Sequence, residues 1–268
     1  MKSMKMADAL SLGGRLARAG VRTLGVFGGS TAVALAYTPV AMATGGDLAL
    51  GATWTRRWAK ALVMGFGLRL EVQGELPGFG ALIVSNHRSY VDIAALGSLF
   101  DACFIAKAQI RHWPVLGFAF GISPTLFVDR GNPESTRAVR EAVRDRLARG
   151  LSIINFAEGT TKDGPGLLPF KRGLFVEAQA LGIPVVPVTL TYTGMDRRVE
   201  WVGDDTFFDH FLRLAGHSGL TAHVHVLPAL RASDHADPEL LVRAVRRAML
   251  LDLAGREDIP AEAYPELA

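Results

Sequence analysis

Residues 81–92 have the sequence ALIVSNHRSYVD, and this stretch decides the fold. Its four apolar residues predict a short buried strand, and the polar residues that follow predict a loop opening into a helix. A histidine at such a strand end can act as a general base. A carboxylate five residues later can accept a hydrogen bond from its other ring nitrogen. His87 and Asp92 are therefore the candidate catalytic pair, and the alternative is a histidine with a purely structural role.

Three further segments follow in an order and spacing that support this interpretation. They are Leu126-Phe127-Val128-Asp129-Arg130, Phe156-Ala157-Glu158-Gly159-Thr160 and Val186-Pro187-Val188-Thr189-Leu190. Together with the N-H-x-S-x-x-D pattern of residues 86–92, they resemble the four blocks of the glycerolipid acyltransferase family, which includes 1-acylglycerol-3-phosphate acyltransferase. The segment Phe170-Lys171-Arg172-Gly173 also resembles the one that follows the third block. The resemblance extends from about Val72 to Pro228.

The resemblance implies a set of site residues. His87 would take the proton from an acceptor hydroxyl, and Asp92 would orient His87. Arg130 would bind an anionic headgroup, because a guanidinium can form two parallel hydrogen bonds to phosphate or carboxylate. The alternative for Arg130 is a surface ion pair with Asp129 or Glu134. The remaining acceptor-binding candidates are Glu158, Gly159, Thr160, Lys162 and Lys171.

Other residues of these blocks are expected to play supporting roles. Asn86 would shape the loop and Ser89 would cap the turn, with backbone N–H groups at the start of the Tyr90 helix as candidate oxyanion donors. Val186 and Pro187 are typical of a core strand, and the resemblance puts their block on the acyl-donor side.

No metal site is predicted. His223 and His225 alternate on a strand and share one face, so a metal site is conceivable. No acidic or cysteine ligands accompany them at a suitable spacing, and we expect them to be solvated histidines.

The implied activity is that of a membrane-associated O-acyltransferase. It would move a fatty acyl group from acyl-CoA or acyl-acyl carrier protein, as co-substrate and without a bound cofactor, to the free hydroxyl of a lysolipid. The leading acceptor is 1-acylglycerol-3-phosphate, for phospholipid biosynthesis. A catalytically silent lipid-binding protein and a thioesterase remain as alternatives. The intact His87 and Asp92 pair argues against a protein without catalytic activity.

One departure from the family pattern bears on the acceptor. The third block resembles F-P-E-G-T-R-S, but here Ala157 replaces the proline and Thr161 replaces the arginine. The lost guanidinium removes one phosphate contact, and Lys162 lacks the same fork geometry. Lyso-ornithine lipid, whose headgroup is a zwitterionic amino acid, or another lysolipid is therefore an alternative acceptor.

Composition agrees with a lipid enzyme. The chain has 268 residues, 49% of them hydrophobic, a formal charge of +3 and one cysteine, Cys103. One cysteine excludes an intrachain disulfide, and the positive charge fits anionic lipid headgroups or acidic acyl donors. Nucleic acid is not expected as a partner, because no Cys/His array or aromatic–basic RNA motif occurs.

The N-terminal part predicts contact with a lipid bilayer. Residues 23–46 carry no charge and follow several basic residues, and a shorter apolar segment extends from Trp58 to Leu68. Trp54 and Trp58 would anchor at the interface. Glycines and a proline interrupt the apolar run, so a monotopic hairpin on the cytoplasmic face of the inner membrane is favoured over a full span. A signal peptide is the other alternative, since Ala41-Met42-Ala43 imitates a cleavage site.

From residue 69 onward, strand and helix patterns alternate, which predicts an α/β fold. One of the predicted helices extends from Phe170 to Leu181. We expect residues 1–68 to form the membrane-associated helical segment. Residues 69–268 would form a layered acyltransferase domain with a mixed central sheet flanked by helices. The apolar segment Ile110 to Gly121 would be either a core helix or part of an acyl-chain tunnel.

Overall fold

The computed structural model describes residues 2–78, 80–112, 117, 120–121, 123–195 and 199–256. Its strands are β1 (Arg69–Gln73), β2 (Leu82–Ser85), β3 (Ala102–Lys107), β4 (Leu126–Val128), β5 (Ser152–Phe156), β6 (Val185–Thr193) and β7 (Thr221–Val226). Its helices are α1 (Lys2–Ala43), α2 (Leu48–Phe66), α3 (Val91–Gly97), α4 (Pro133–Ala148), α5 (Gly173–Leu181), α6 (Phe207–Gly216) and α7 (Pro238–Arg256). Two short 3₁₀ helices span Ala108–His112 and Ala232–Asp234.

All seven strands form one sheet in the order β1-β7-β6-β2-β5-β3-β4. The five strands from β6 to β4 are parallel to one another, and β7 is antiparallel to β6. Strand β1 pairs parallel with β7, so two strands at one edge are reversed. The predicted mixed sheet with flanking helices is therefore confirmed.

Apolar side chains cover both faces of the sheet. Ile83 and Ile154 point into a core shared with α1, α2, α3 and α6, which we call the front face. Leu82, Val84 and Ile153 point into a second core shared with α4, α5 and α7, the back face. Strands buried on both sides read as continuous apolar runs, which is why residues 81–84 and 184–190 lack polar alternation.

Helices α1 and α2 form a hairpin whose inner face is packed. Asp47 begins α2 by accepting a hydrogen bond from Leu50 N at 2.7 Å. The indole Nε1 of Trp58 donates to Ser30 Oγ at 2.9 Å, and the Trp58 side chain is buried. The expectation that Trp58 anchors at a membrane interface is therefore wrong, because its polar atom is satisfied inside the hairpin.

Two arginines attach α1 to the C-terminal end of α6. Arg18 Nε donates to Gly216 O at 3.1 Å, and Arg22 Nη1 donates to Ala215 O at 3.3 Å and also to His217 O. The last carbonyls of a helix lack internal partners and carry partial negative charge, so cations there are stabilising. The hairpin is thus bonded to the α/β part of the chain.

Helix α1 is also long and apolar. By length and composition alone, Leu12–Ala43 could cross a membrane, with a mean hydropathy of 1.3, which weakly indicates membrane association. Ala19, Val26 and Ala34 lie in the protein interior on one side of this helix. Leu24 and Leu35 on the other side are 77% and 67% exposed.

Some boundaries differ from those expected. The helix predicted to begin at Phe170 begins at Gly173 instead, because Lys171 N donates to Ala157 O and keeps the preceding residues extended. Much of the Ile110–Gly121 segment lies outside the described residues. Within it Phe120 is buried, with its ring centroid 4.9 Å from that of Trp58.

The turn after β6 supplies a test of this fold. Gly194 has φ 84°, and a Cβ there would lie 1.9 Å from the carbonyl oxygen of Gly219. Gly182 has φ 65° but would meet nothing within 4 Å, so it is a matched control. We expect Gly182→Ala to lower the free energy of unfolding by about 1–2 kcal/mol, the cost of a left-handed backbone. Gly194→Ala should cost about 1–3 kcal/mol more through the collision. Guanidinium unfolding in detergent would measure both, and equal losses would contradict the close approach.

Candidate active site

The candidate residues gather at one edge of the sheet. His87 follows β2, Arg130 follows β4 and Glu158 follows β5, and these three strands are parallel. Their carboxyl ends therefore open onto the same edge, which is where open α/β sheets commonly bind ligands.

His87 and Asp92 are hydrogen-bonded. His87 Nδ1 lies 2.7 Å from Asp92 Oδ2, and the histidine side chain is 19% exposed while that of Asp92 is fully buried. The imidazole also stacks on the ring of Phe156, with centroids 4.0 Å apart and planes inclined by 16°. With Nδ1–H donating to the carboxylate, Nε2 is the nitrogen able to accept a proton.

The carboxylate of Asp92 organises the turn before α3. Its Oδ2 accepts from the backbone N–H groups of Arg88 at 2.7 Å and Ser89 at 3.0 Å. Ser89 Oγ in turn accepts from Val91 N at 3.4 Å, which braces the turn, whereas the N-cap position of α3 is occupied by Tyr90. The N–H groups of Arg88 and Ser89, which precede the Tyr90 helix, are therefore already engaged, and oxyanion binding by N–H groups at the start of that helix stays a prediction.

The side chain of Asn86 continues the sheet beyond β2. Its Nδ2 donates to Leu190 O at 2.9 Å, and its Oδ1 accepts from Leu190 N at 2.8 Å. The amide thus pairs with β6 as a strand residue would. This is the loop-shaping role expected for Asn86.

Glu158 joins two loops instead of facing an acceptor. Its Oε1 accepts from His87 N at 3.0 Å and its Oε2 from Leu168 N at 2.7 Å, and the side chain is buried. Burial raises the pKa of Glu158, while both N–H donors and the charge of Arg88 oppose the shift. Both oxygens are engaged by backbone, so the expected acceptor contact is replaced by a positioning contact beneath His87.

Arg88 is a site residue that sequence reasoning missed. Although charged, it is only 4% exposed, and it reaches the loop after β5. Its Nη1 donates to Gly164 O at 2.6 Å and its Nη2 to Gly166 O at 3.3 Å. An arginine within a polar loop motif gives no sign in a single sequence that it will be buried.

Two further residues, Lys162 and Thr161, lie in the loop of residues 161–168 and donate to backbone carbonyls. Lys162 Nζ donates to the carbonyls of Asp163 and Gly164, at 3.0 and 3.3 Å, and to that of Pro165. Its ammonium therefore holds its own loop, in place of the acceptor contact expected from sequence. Thr161 Oγ1 donates to Trp201 O at 2.6 Å, so the position that departs from the family pattern ties two loops together.

Two cations and a glycine form the most exposed part of the site. Arg130 Nη1 donates to Gly159 O. Lys171 crosses over Gly159, whose left-handed backbone has φ 75° and where a Cβ would lie 2.7 Å from Lys171 Nζ. Thr160, next in the chain, is exposed. The structure thus brings together Arg130, Gly159, Thr160 and Lys171 as candidates for holding a negative group.

Val186 and Pro187 lie inside the sheet. Both are buried in β6, where Val186 pairs with Ile83 and Pro187 with Val84 of β2. Any influence of this pair on an acyl donor would act through packing, because their side chains are enclosed.

His223 and His225 each contact a carboxylate, which corrects the expectation of simple solvated histidines. His223 Nδ1 lies 3.1 Å from Glu71 Oε2, and His225 Nδ1 lies 2.5 Å from Asp252 Oδ1. Among the described residues, no group of three or more His, Cys, Asp or Glu could hold a metal ion. These pairs lie on β1, β7 and α7, apart from the loops that carry His87.

Tyr192 is the second residue that sequence reasoning missed. It lies near the end of β6, and its Oη donates to Asp92 Oδ1 at 2.6 Å. In sequence it simply ends an apolar strand. Its link to Asp92 depends on which strands are neighbours and in which register, and neither is visible in one sequence.

Known proteins share much of this sequence. The family model described as Acyltransferase matches residues 69–191. The chain is 33% identical over 204 residues to the lyso-ornithine lipid O-acyltransferase of Pseudomonas aeruginosa, covering 75% of this chain and 78% of that protein. It is 39% identical over 113 residues to the 1-acyl-sn-glycerol-3-phosphate acyltransferase of Neisseria gonorrhoeae, covering 42% and 44% of the two chains.

A solved structure shares the fold. The crystal structure of the 1-acyl-sn-glycerophosphate (LPA) acyltransferase PlsC from Thermotoga maritima matches with a TM-score of 0.60 at 16% identity. The match covers 90% of this chain and 99% of that one.

The buried arginine supplies a test of how the site is held. Lysine at position 88 keeps the charge but cannot span several carbonyls. We expect Arg88→Lys to speed amide hydrogen exchange across residues 162–168 at least about tenfold, since local opening sets exchange rates. Arg137→Lys is the control, because the Arg137 side chain is 74% exposed and pairs with Glu141 on the same helix at 3.9 Å. Unchanged exchange in Arg88→Lys, measured by mass spectrometry, would show that the guanidinium does not hold this loop.

Proposed function

Because this chain belongs to the acyltransferase family, we propose that it moves a fatty acyl group from an acyl thioester to the free hydroxyl of a lysolipid. The observation that carries the proposal is the 2.7 Å hydrogen bond between His87 Nδ1 and Asp92 Oδ2. It leaves Nε2 as a base at the edge of the sheet where parallel strands end. The thioester is already activated, so no serine or cysteine nucleophile is needed.

In the proposed reaction, His87 Nε2 takes the proton from the acceptor hydroxyl as its oxygen attacks the thioester carbonyl. The tetrahedral intermediate collapses, the C–S bond breaks, and the imidazolium returns the proton to the leaving thiolate. Asp92 stabilises the imidazolium between these two steps. Stacking on Phe156 limits rotation of the ring. The transfer requires acyl-CoA or acyl-acyl carrier protein as co-substrate and no cofactor.

We propose that the acceptor headgroup binds at Arg130 and Lys171. Both side chains meet at Gly159. Arg130 donates to its carbonyl, and the Lys171 side chain lies across its Cα. Thr160 adds an exposed hydroxyl beside them. A guanidinium and an ammonium at one point suit a carboxylate or a phosphate oxygen.

Lyso-ornithine lipid is the acceptor that we propose first. Thr161, at the position of a family arginine, uses its hydroxyl to bond Trp201 O, so this site offers one fewer cation to a phosphate monoester. The relative named for lyso-ornithine lipid is matched over 78% of its length, against 44% for the one named for 1-acyl-sn-glycerol-3-phosphate. The second candidate is 1-acylglycerol-3-phosphate, which the paired cations of Arg130 and Lys171 also suit.

We propose that the enzyme lies on the cytoplasmic face of the membrane and does not cross it. One side of α1 is packed against protein, and Arg18 and Arg22 near its middle are bonded to α6. Within residues 12–43, the opposite side, with Leu24 and Leu35, is exposed and can meet acyl chains. A helix covered on one side and apolar on the other favours lying in the interface of one leaflet.

The function is tested by acyl transfer from labelled acyl-CoA and acyl-acyl carrier protein to both acceptors. We expect lyso-ornithine lipid to be used with a kcat/KM at least about tenfold above that of 1-acylglycerol-3-phosphate, from loss of one charge-assisted contact. His87→Ala should lower kcat about 10²–10⁴-fold by removing the base.

His225→Ala is the matched control, because it breaks a second histidine–carboxylate pair outside the site. It should retain activity. Release of free fatty acid without lipid product would indicate a thioesterase, and no turnover with any acceptor would indicate a silent lipid-binding protein.

Membrane binding is tested with point substitutions, because deleting residues 1–46 would also remove buried core side chains. We expect Leu24→Gln combined with Leu35→Gln to weaken binding to phosphatidylglycerol-containing vesicles at least about tenfold, from the loss of two apolar contacts. Leu240→Gln combined with Leu251→Gln is the control, since these residues are 40% and 53% exposed on α7 at the back face. Vesicle flotation would measure both, and equal binding by the two variants would place the anchor elsewhere.

A further inference from the structure

The two oxygens of the Asp92 carboxylate accept hydrogen bonds from different parts of the fold. Its Oδ2 accepts from His87 Nδ1, Arg88 N and Ser89 N, whereas its Oδ1 accepts from the hydroxyl of Tyr192 at 2.6 Å. The side chain of Asp92 is fully buried. A buried carboxylate needs donors on both oxygens, and Tyr192 supplies one to Oδ1.

We propose that Tyr192 is a positioning residue for proton transfer, whose hydroxyl orients Asp92 so that Oδ2 faces His87 Nδ1. The inference rests on the proposed role of His87 as the base. Tyr192 acts through Asp92 and touches no substrate. With Oδ1 held by β6, the carboxylate cannot rotate about its Cβ–Cγ bond without breaking a short hydrogen bond.

The strand that carries Tyr192 is itself anchored to the histidine loop. Two residues earlier, Leu190 exchanges two hydrogen bonds with the amide of Asn86, at 2.9 and 2.8 Å. Asn86 directly precedes His87, so the loop and β6 are joined on both sides of the catalytic pair. The phenol is therefore delivered to Asp92 by a rigid element rather than by a mobile loop.

Tyr192 is suited to remain a donor. Burial raises its pKa well above the ordinary value, and the charges of Asp92 and Glu200 act in the same direction. Its hydroxyl thus keeps its proton throughout the neutral range. The other charged groups around the pair are His87 itself, and Arg88 and Glu158, which interact with each other and lie on the His87 side.

Loss of the hydrogen bond between Tyr192 and Asp92 should shift the pH profile of kcat/KM in one direction. A hydroxyl donating to Oδ1 withdraws negative charge from the carboxylate. When it is lost, Asp92 attracts the imidazolium more strongly, and a higher pH is required to obtain the neutral base. The acidic limb of the kcat/KM profile should therefore move to higher pH in Tyr192→Phe.

The experiment compares Tyr192→Phe with Thr193→Val in the full-length chain. Thr193 is the next residue on β6, and its hydroxyl meets His223 Nε2 at 2.7 Å, not Asp92. We expect Tyr192→Phe to lower kcat about tenfold with little change in either KM, and to shift the acidic limb upward. Thr193→Val should leave kcat and the profile unchanged.

A double-mutant cycle identifies the route of the effect. In an Asp92→Asn background, Tyr192→Phe should cause little further loss, because the group through which it acts is already altered. An equal loss in both backgrounds would overturn the proposal. So would a normal kcat and profile in Tyr192→Phe when His87→Ala is inactive. Full activity in His87→Ala would instead overturn the proposed function itself.

A near-isosteric change covers the case in which Tyr192→Phe fails to fold. 3-Fluorotyrosine at position 192 has almost the size of tyrosine but a more acidic hydroxyl, so it donates a stronger hydrogen bond. It should move the acidic limb to lower pH, opposite to the shift expected for phenylalanine. An unshifted limb in a folded protein would overturn the role of Tyr192.

Discussion

The arrangement of the site depends on one buried negative charge. Asp92 has no exposed side-chain surface, and an ion removed from water costs several kcal/mol unless hydrogen bonds replace its hydration. Its donors come from the His87 ring, the backbone of the turn before α3 and the end of β6. These elements must therefore meet at Asp92. The position of His87 follows from the hydrogen bonds that the Asp92 carboxylate requires.

Contacts between side chains and backbone hold the surrounding loops in the same way. Asn86 bonds to β6, Glu158 accepts from the N–H groups of His87 and Leu168, and Arg88 donates to carbonyls of the loop after β5. Successive residues around His87 thus bind different loops. Several polar residues of the sequence blocks therefore hold the loops in position. Arg130 and Lys171 face outward.

Local patterns were sufficient to predict the architecture and the contact between His87 and Asp92. Alternating strand and helix signals predicted the mixed sheet, and the short spacing of His87 and Asp92 brings the two side chains together at the start of α3. Contacts between loops could not be predicted in this way. Glu158 looks like a ligand contact in sequence, yet its oxygens accept from backbone N–H groups of two loops that meet only in the fold. Lys162 bonds carbonyls of its own loop. Tyr192 was missed because strand register links it to Asp92.

The arginine contacts of α1 have a consequence for synthesis of the chain. Arg18 and Arg22 bond to carbonyls that lie 193 to 198 residues later in the sequence. At about 5–20 residues per second, α1 leaves the ribosome on the order of ten seconds or more before its partner helix exists. During that interval α2 can pack against α1, but the surface of α1 that later meets α6 has no protein partner. A nearby bilayer would shelter it, so the membrane would act as a holding surface during folding before it supplies the lipid substrate.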